Sequence, residues 1–102
     1  MRTYNKLVRD RIPEIIQESG RTCVTRILSE EEYITALELK LSEEVAELQS
    51  DKNLEEMADV LEVLRALCDA RGYSFEELEA LRVKKANELG GFMKKIYLEY
   101  LE

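Results

Sequence analysis

The sequence contains no histidine, and this absence removes several classes of active site. Without histidine there is no Ser–His or Cys–His nucleophile pair, no HExxH zinc site and no histidine-based phosphoryl transfer. The two cysteines, Cys23 and Cys68, lie far apart and form no CxxC motif, so the common zinc and redox motifs are also missing. We expect both to be buried, reduced thiols. If the chain is an enzyme, carboxylates, cations and a metal must carry the chemistry.

Other features that the sequence lacks also limit the class of protein to which it can belong. One proline and four glycines in 102 residues indicate an ordered, helical, single domain over residues 1–102. The net charge of −7 argues against nucleic acid or an anionic membrane as the main partner. No apolar run approaches the ~18 residues of a membrane span, and no signal-peptide core is present, so we expect no membrane partner and a cytoplasmic location. Because so short a chain buries only a modest core, we expect a homodimer or homotetramer.

Capping signals predict an all-α bundle of one short and three long helices. Asp10 is the expected N-cap of a helix with Pro13 in its first turn and Gly20 at its end. Capping boxes and glycine stops predict long helices at about 30–50, 53–71 and 74–90. Residues 21–28 and the tail FMKKIYLEYLE alternate imperfectly, which is compatible with a short strand pair between 22–28 and the tail.

Four acids mark the centre of the chain. Glu44 and Glu47 are three residues apart, as are Glu56 and Asp59, so each pair shares one side of a helix. The polar run SDKN (50–53) between the pairs favours a turn. An antiparallel hairpin folded there sets Glu47 level with Glu56 and Glu44 level with Asp59. The pattern therefore predicts four carboxylates across one helix–helix seam.

These acids interrupt apolar stripes that should face inward. Glu44 follows Leu37 and Leu41 on one stripe, and Glu56 and Asp59 share a stripe with Val60 and later apolar residues. Burying an unpaired carboxylate costs several kcal/mol, roughly, and clustered carboxylates repel one another. A hard cation with oxygen ligands, Mg²⁺ or Mn²⁺, relieves both penalties. The alternative is that these are ordinary Glu-rich helices in which Glu56 closes a capping box with Asn53.

A basic cluster near the N-terminus stands out in an acidic chain. Lys6, Arg9 and Arg11 lie within a few residues of one another, and such cations bind phosphates well. They can equally pair with surface acids. The sequence leaves both interpretations open.

Three segments resemble a known family. The run EEVAE (43–47) followed by EMAD (56–59) is similar to the EExxE…ExxD motif of the MazG-like, all-α NTP pyrophosphohydrolases. The opening YNKLVRDRIPEII and the later KKANELGGF resemble the branch labelled phosphoribosyl-ATP pyrophosphohydrolase-like. Together the three segments cover nearly the whole chain in order. Only eight residues, 48–55, separate the two acidic halves, where the family's spacer is often longer.

This resemblance implies a reaction and roles for particular residues. The reaction is Mg²⁺-dependent hydrolysis of a nucleoside triphosphate, standard or non-standard, between the α and β phosphates. The family's metal-ligand positions fall on Glu44, Glu47, Glu56 and Asp59, and Glu43 fills the first acidic position. Glu43 or Glu47 would activate the water. The candidate phosphate-binding residues, each of which could instead have a purely structural role, are Arg9, Arg11, Lys84, Lys85 and Asn87.

Three alternatives remain open from the sequence. The first is phosphoribosyl-ATP hydrolysis, the activity that names the related branch. The second is a helical interaction module that has kept the fold but lost catalysis. The presence of all four ligand-type acids counts against such a loss. The third is a plain metal-binding protein that does not turn over a nucleotide.

Overall fold

The computed structural model describes residues 2–102, and the fold is all-α. The helices are α1 (Ile12–Glu18), α2 (Glu30–Asp51), α3 (Leu54–Ala70) and α4 (Phe75–Leu89). No strand occurs among the described residues. The predicted fold class and the bounds of the three long helices are therefore confirmed to within about a residue at each end.

The starts of α2 and α4 are fixed by complete capping boxes. The Ser29 hydroxyl accepts the Glu32 N–H, and the Glu32 carboxylate accepts the Ser29 N–H in return. Ser74 and Glu77 form the same reciprocal pair at α4. Each box satisfies backbone donors that a helix start would otherwise leave without partners. These two predictions are confirmed.

The start of α3 uses only half of a capping box. The Asn53 side-chain oxygen accepts the Glu56 N–H at 2.9 Å, but the Glu56 carboxylate does not return to the Asn53 backbone. The Glu56 side chain is therefore free to lie in the seam between α2 and α3. The alternative in which Glu56 merely closes a capping box does not account for its position.

The α2–α3 hairpin is the main packing unit of the chain. It turns through Lys52, which adopts a left-handed conformation at φ 56° and ends α2. Leu37 of α2 and Val63 of α3 are buried, and Glu44 is buried on the same α2 stripe as Leu37. Near the open end of the hairpin, Arg71 donates to Glu38 at 2.6 Å. The predicted antiparallel hairpin of α2 and α3 thus forms.

The other helices add little to this unit. Helix α4 contacts α3 and no other helix among the described residues. At the α3–α4 turn, the buried Cys68 thiol donates to the Ser74 carbonyl oxygen at 3.2 Å. Cys23 is also unpaired but only half-buried, so the expectation of two buried thiols holds for Cys68 alone.

Two sequence predictions are wrong. Asp10 does not cap α1: the N-cap is Arg11, whose φ of −91° and ψ of −1° carry the chain into the helix through a turn, without a side-chain cap. The strand pair between residues 22–28 and the tail does not form, since neither segment is a strand. Val24 and Ile27 remain exposed, and a lone two-stranded element without a packed face is only marginally stable.

The chain is extended for its length. Its radius of gyration is 18.1 Å, whereas a compact domain of this length would have about 13 Å. The tail beyond Gly90 packs little, since Phe92, Ile96 and Tyr97 are exposed. No helix in the described part of the chain is both long and apolar enough to cross a lipid bilayer.

Candidate metal centre

Three of the four predicted acids meet in the seam of the hairpin. Helix α2 supplies Glu44, and α3 supplies Glu56 and Asp59 from successive turns. One carboxylate oxygen from each residue lies within 4.8 Å of the other two. The antiparallel register brings the α2 residue opposite the α3 pair.

The cluster contains oxygens that have no hydrogen-bond partner. Glu44 is only 8% exposed, although it is an acid. Its Oε2 atom and the Oε2 atom of Glu56 are both enclosed, and neither accepts a hydrogen bond from the described residues. A buried carboxylate oxygen without a partner is costly. A set of carboxylate oxygens is also what Mg²⁺ and Mn²⁺ prefer, so the residues fit a hard divalent cation.

The raised pKa of Glu56 reflects the same enclosure and the crowding of acids in the seam. Desolvation raises the pKa of the Glu56 carboxyl above its ordinary value, and the charges of Glu47, Asp51 and Asp59 raise it further. Glu47 is therefore close enough to Glu56 for the two carboxyl groups to affect each other. Glu47 is exposed and lies outside the mutual 4.8 Å set, so it borders the cluster at its rim.

Two cations contact the cluster from different elements. Lys40 Nζ lies 3.4 Å from Glu44 Oε1, and the two side chains are 21% and 10% exposed. Arg9 Nη2 lies 2.7 Å from Asp59 Oδ1. Sequence reasoning missed Lys40, although its position four residues before Glu44, one helical turn away, could have found it.

The remaining predicted residues lie outside the cluster. Glu43 is exposed. Arg11 donates to Glu14 of its own segment at 3.2 Å, and Lys84 pairs with Glu88 at 4.0 Å on α4. Lys85 and Asn87 are exposed on α4. Among residues 2–102, no hydrogen bond or ion pair joins these five residues to the acids.

Comparison with known proteins adds one relative of unstated activity. The chain is 64% identical over 45 residues to an uncharacterized protein of Mycolicibacterium smegmatis. The match covers 44% of this chain and 46% of the relative, so the chain spans about half the length of that protein. No protein-family model matches the chain, and no solved structure matches it.

Proposed function

We propose that this chain is a divalent-cation-dependent nucleoside triphosphate pyrophosphohydrolase of the MazG-like type. The observation that carries the proposal is the meeting of Glu44, Glu56 and Asp59 around two enclosed carboxylate oxygens without partners. The resemblance of EEVAE and EMAD to the family's acidic motif adds to it. The reaction is water attack that splits the α–β phosphoanhydride into a nucleoside monophosphate and pyrophosphate.

The acids of the seam would have two roles: some would hold the cation, and one would activate the water. Glu44, Glu56 and Asp59 would hold Mg²⁺ or Mn²⁺, with Glu47 as a fourth ligand or as a base. A bound divalent cation supplies positive charge at the phosphate oxygens and makes a nearby water easier to deprotonate. The rim position of Glu47, exposed beside Glu56, suits it to take the proton from that water. Glu43 remains the second candidate for this step.

Basic and polar side chains outside the acidic cluster would bind the phosphates. Arg9 is the nearest guanidinium, because it already contacts Asp59. Binding a polyanion to a protein of net charge −7 requires local positive charge, which the cation and Arg9 would provide together. The other proposed phosphate-binding residues, from the resemblance, are Arg11, Lys84, Lys85 and Asn87.

We also propose that the protein works as a homodimer or homotetramer in the cytoplasm. The exposed apolar tail and the large radius of gyration leave surface that a second copy would cover. The two unpaired cysteines suit a reducing compartment. Sedimentation equilibrium tests the assembly: a mass of two or four chains is expected, and a monomer at all concentrations would contradict it.

Pyrophosphate release tests the reaction. The panel contains standard and modified nucleoside triphosphates and phosphoribosyl-ATP, each with Mg²⁺ and with EDTA. Release is expected with Mg²⁺ only, and is expected to disappear in Glu44→Ala and Asp59→Ala. The preferred panel member would identify the substrate class, including the phosphoribosyl-ATP alternative. Cation binding without release would favour a plain metal-binding protein, and neither binding nor release by folded protein would favour an interaction module.

A further inference from the structure

The N-terminal segment carries a charge opposite to that of the rest of the chain. Residues 2–11, here called the basic arm, contain four cations and one acid, whereas the whole chain has a net charge of −7. The arm forms neither helix nor strand and leads directly into α1. Its charge is therefore held on a segment that its own backbone hydrogen bonds constrain little.

Only one cation of the arm contacts the acidic cluster. Arg2 and Lys6 lie over the ring of Tyr4, at 5.2 and 5.7 Å from its centroid. Arg11 is engaged with Glu14 on α1. Arg9 alone reaches across to α3, where it donates to Asp59 at 2.7 Å.

The two cation contacts of the cluster differ in how readily they can exchange. Lys40 and Glu44 are both largely enclosed, so their contact is shielded from water. The Arg9 and Asp59 side chains are 58% and 39% exposed. Exposed ion pairs contribute little net stability, because water and salt compete for both partners. Asp59 is therefore the acid of the cluster whose partner is most easily displaced.

We infer that Arg9 is a substrate-binding residue that exchanges between Asp59 and a phosphate group of the substrate. This inference rests on the proposed cation site. A divalent cation held by Glu44, Glu56 and Asp59 would compete with Arg9 for the Asp59 carboxylate. Arg9, freed from Asp59, would then donate to phosphate oxygens, for which its planar set of donors is well suited.

This exchange couples the cation to the anionic ligand. Before the anion arrives, Arg9 opposes cation binding, since it occupies an Asp59 oxygen. Once the cation is bound, Arg9 favours the anion. Because the cation would free Arg9 for the anion, each of the two ligands is expected to strengthen the binding of the other, and by the same factor. Arg9 therefore has opposite effects on the two binding steps, and the exchange itself is expected to change the environment of its guanidinium.

Arg9→Gln and a matched control test this directly. The control is Arg82→Gln, which makes the same change at a side chain that is 63% exposed and also pairs with one carboxylate, Glu79, on the remote helix α4. Mn²⁺ binding without nucleotide, measured by electron paramagnetic resonance, is expected to be about two- to fivefold tighter in Arg9→Gln than in the native protein. With Mn²⁺ saturating, α,β-methylene-ATP is expected to bind about tenfold more weakly to Arg9→Gln. Arg82→Gln is expected to match the native protein in both.

A second measurement follows Arg9 in the native protein by NMR, and Arg9→Gln serves only to assign its signal. In ¹⁵N-arginine spectra, Mg²⁺ is expected to move the Arg9 Nε–H signal toward that of a free guanidinium. Arg82 is expected to stay unchanged. Subsequent addition of α,β-methylene-ATP is expected to shift Arg9 again.

The outcomes separate this inference from the proposed function. Equal or weaker Mn²⁺ binding by Arg9→Gln, or an Arg9 signal that ignores Mg²⁺ while Mn²⁺ binds, overturns the exchange and leaves the cation site standing. Absence of Mn²⁺ binding to the native protein overturns both.

Discussion

Replacing Glu44 with glutamine should abolish most of the stabilisation that a divalent cation gives to this protein. Glu44 is the most buried acid of the cluster, and glutamine keeps its shape while removing its charge. A cation at 100 times its dissociation constant adds about 2.7 kcal/mol to the free energy of unfolding. For 102 residues the entropy of unfolding is about 0.2 kcal/mol per kelvin, so the native protein should gain about 13 °C in Tm.

Differential scanning calorimetry with Mn²⁺ and with EDTA measures this gain. The shift is expected to fall to a few degrees or less in Glu44→Gln, since Mn²⁺ loses an anionic ligand in the enclosed part of the site. Glu62→Gln, at an exposed acid of α3 outside the cluster, is the matched control and should keep the full shift. A native protein that gains nothing from Mn²⁺, or a Glu44→Gln protein that keeps the gain, would refute the reasoning.

Three further predictions concern the cation-free protein. Glu56→Gln should raise the Tm in EDTA, because the raised pKa of Glu56 means that its ionised form is disfavoured in the folded state. The pKa of Glu32 is lowered to about 2, chiefly by the Arg26 guanidinium, so its contribution to stability is present above pH ~4.5 and is lost as the pH falls toward 2. The slope of stability in this window should be smaller in Glu32→Gln. Ser74→Ala removes a capping hydroxyl and should cost about 1 kcal/mol in urea unfolding.

Each of these three predictions has a control or a result that would contradict it. Glu55→Gln, at an exposed neighbour of Glu56, should not raise the Tm in EDTA. A Glu32→Gln protein with an unchanged pH slope would mean that neither Arg26 nor Ser29 stabilises the Glu32 carboxylate in solution. Ser74→Thr keeps a capping hydroxyl and should lose less stability than Ser74→Ala; equal losses would contradict the capping account.

The hairpin and its acids could be predicted because their signals are local. Helix starts follow from residues three apart, as in Ser29 with Glu32, and these contacts form whatever the rest of the chain does. With a turn in the SDKN run (50–53), the antiparallel pairing of the acids follows from counting residues. The meeting of Glu44 with Asp59 required no further information.

The rest depended on contacts between distant segments or on side-chain detail. Residues three apart on a helix differ by about 60° in direction, so with Glu44 facing inward Glu47 reaches only the rim. The Arg9–Asp59 pair joins residues 50 apart, and no local pattern encodes it. The tail reads as a strand from its alternation, but a strand needs a partner, and within one chain it finds none.

The most direct test of the proposed function is the position of the bond that is broken. ³¹P NMR of a nucleoside triphosphate incubated with the protein and Mg²⁺ separates the two phosphoanhydride cleavages in one spectrum. We expect the resonances of a nucleoside monophosphate and pyrophosphate to appear together, and neither to appear in EDTA or with Glu44→Gln. A nucleoside diphosphate with orthophosphate, or an unchanged triphosphate across the panel with folded, cation-loaded protein, would contradict the proposal.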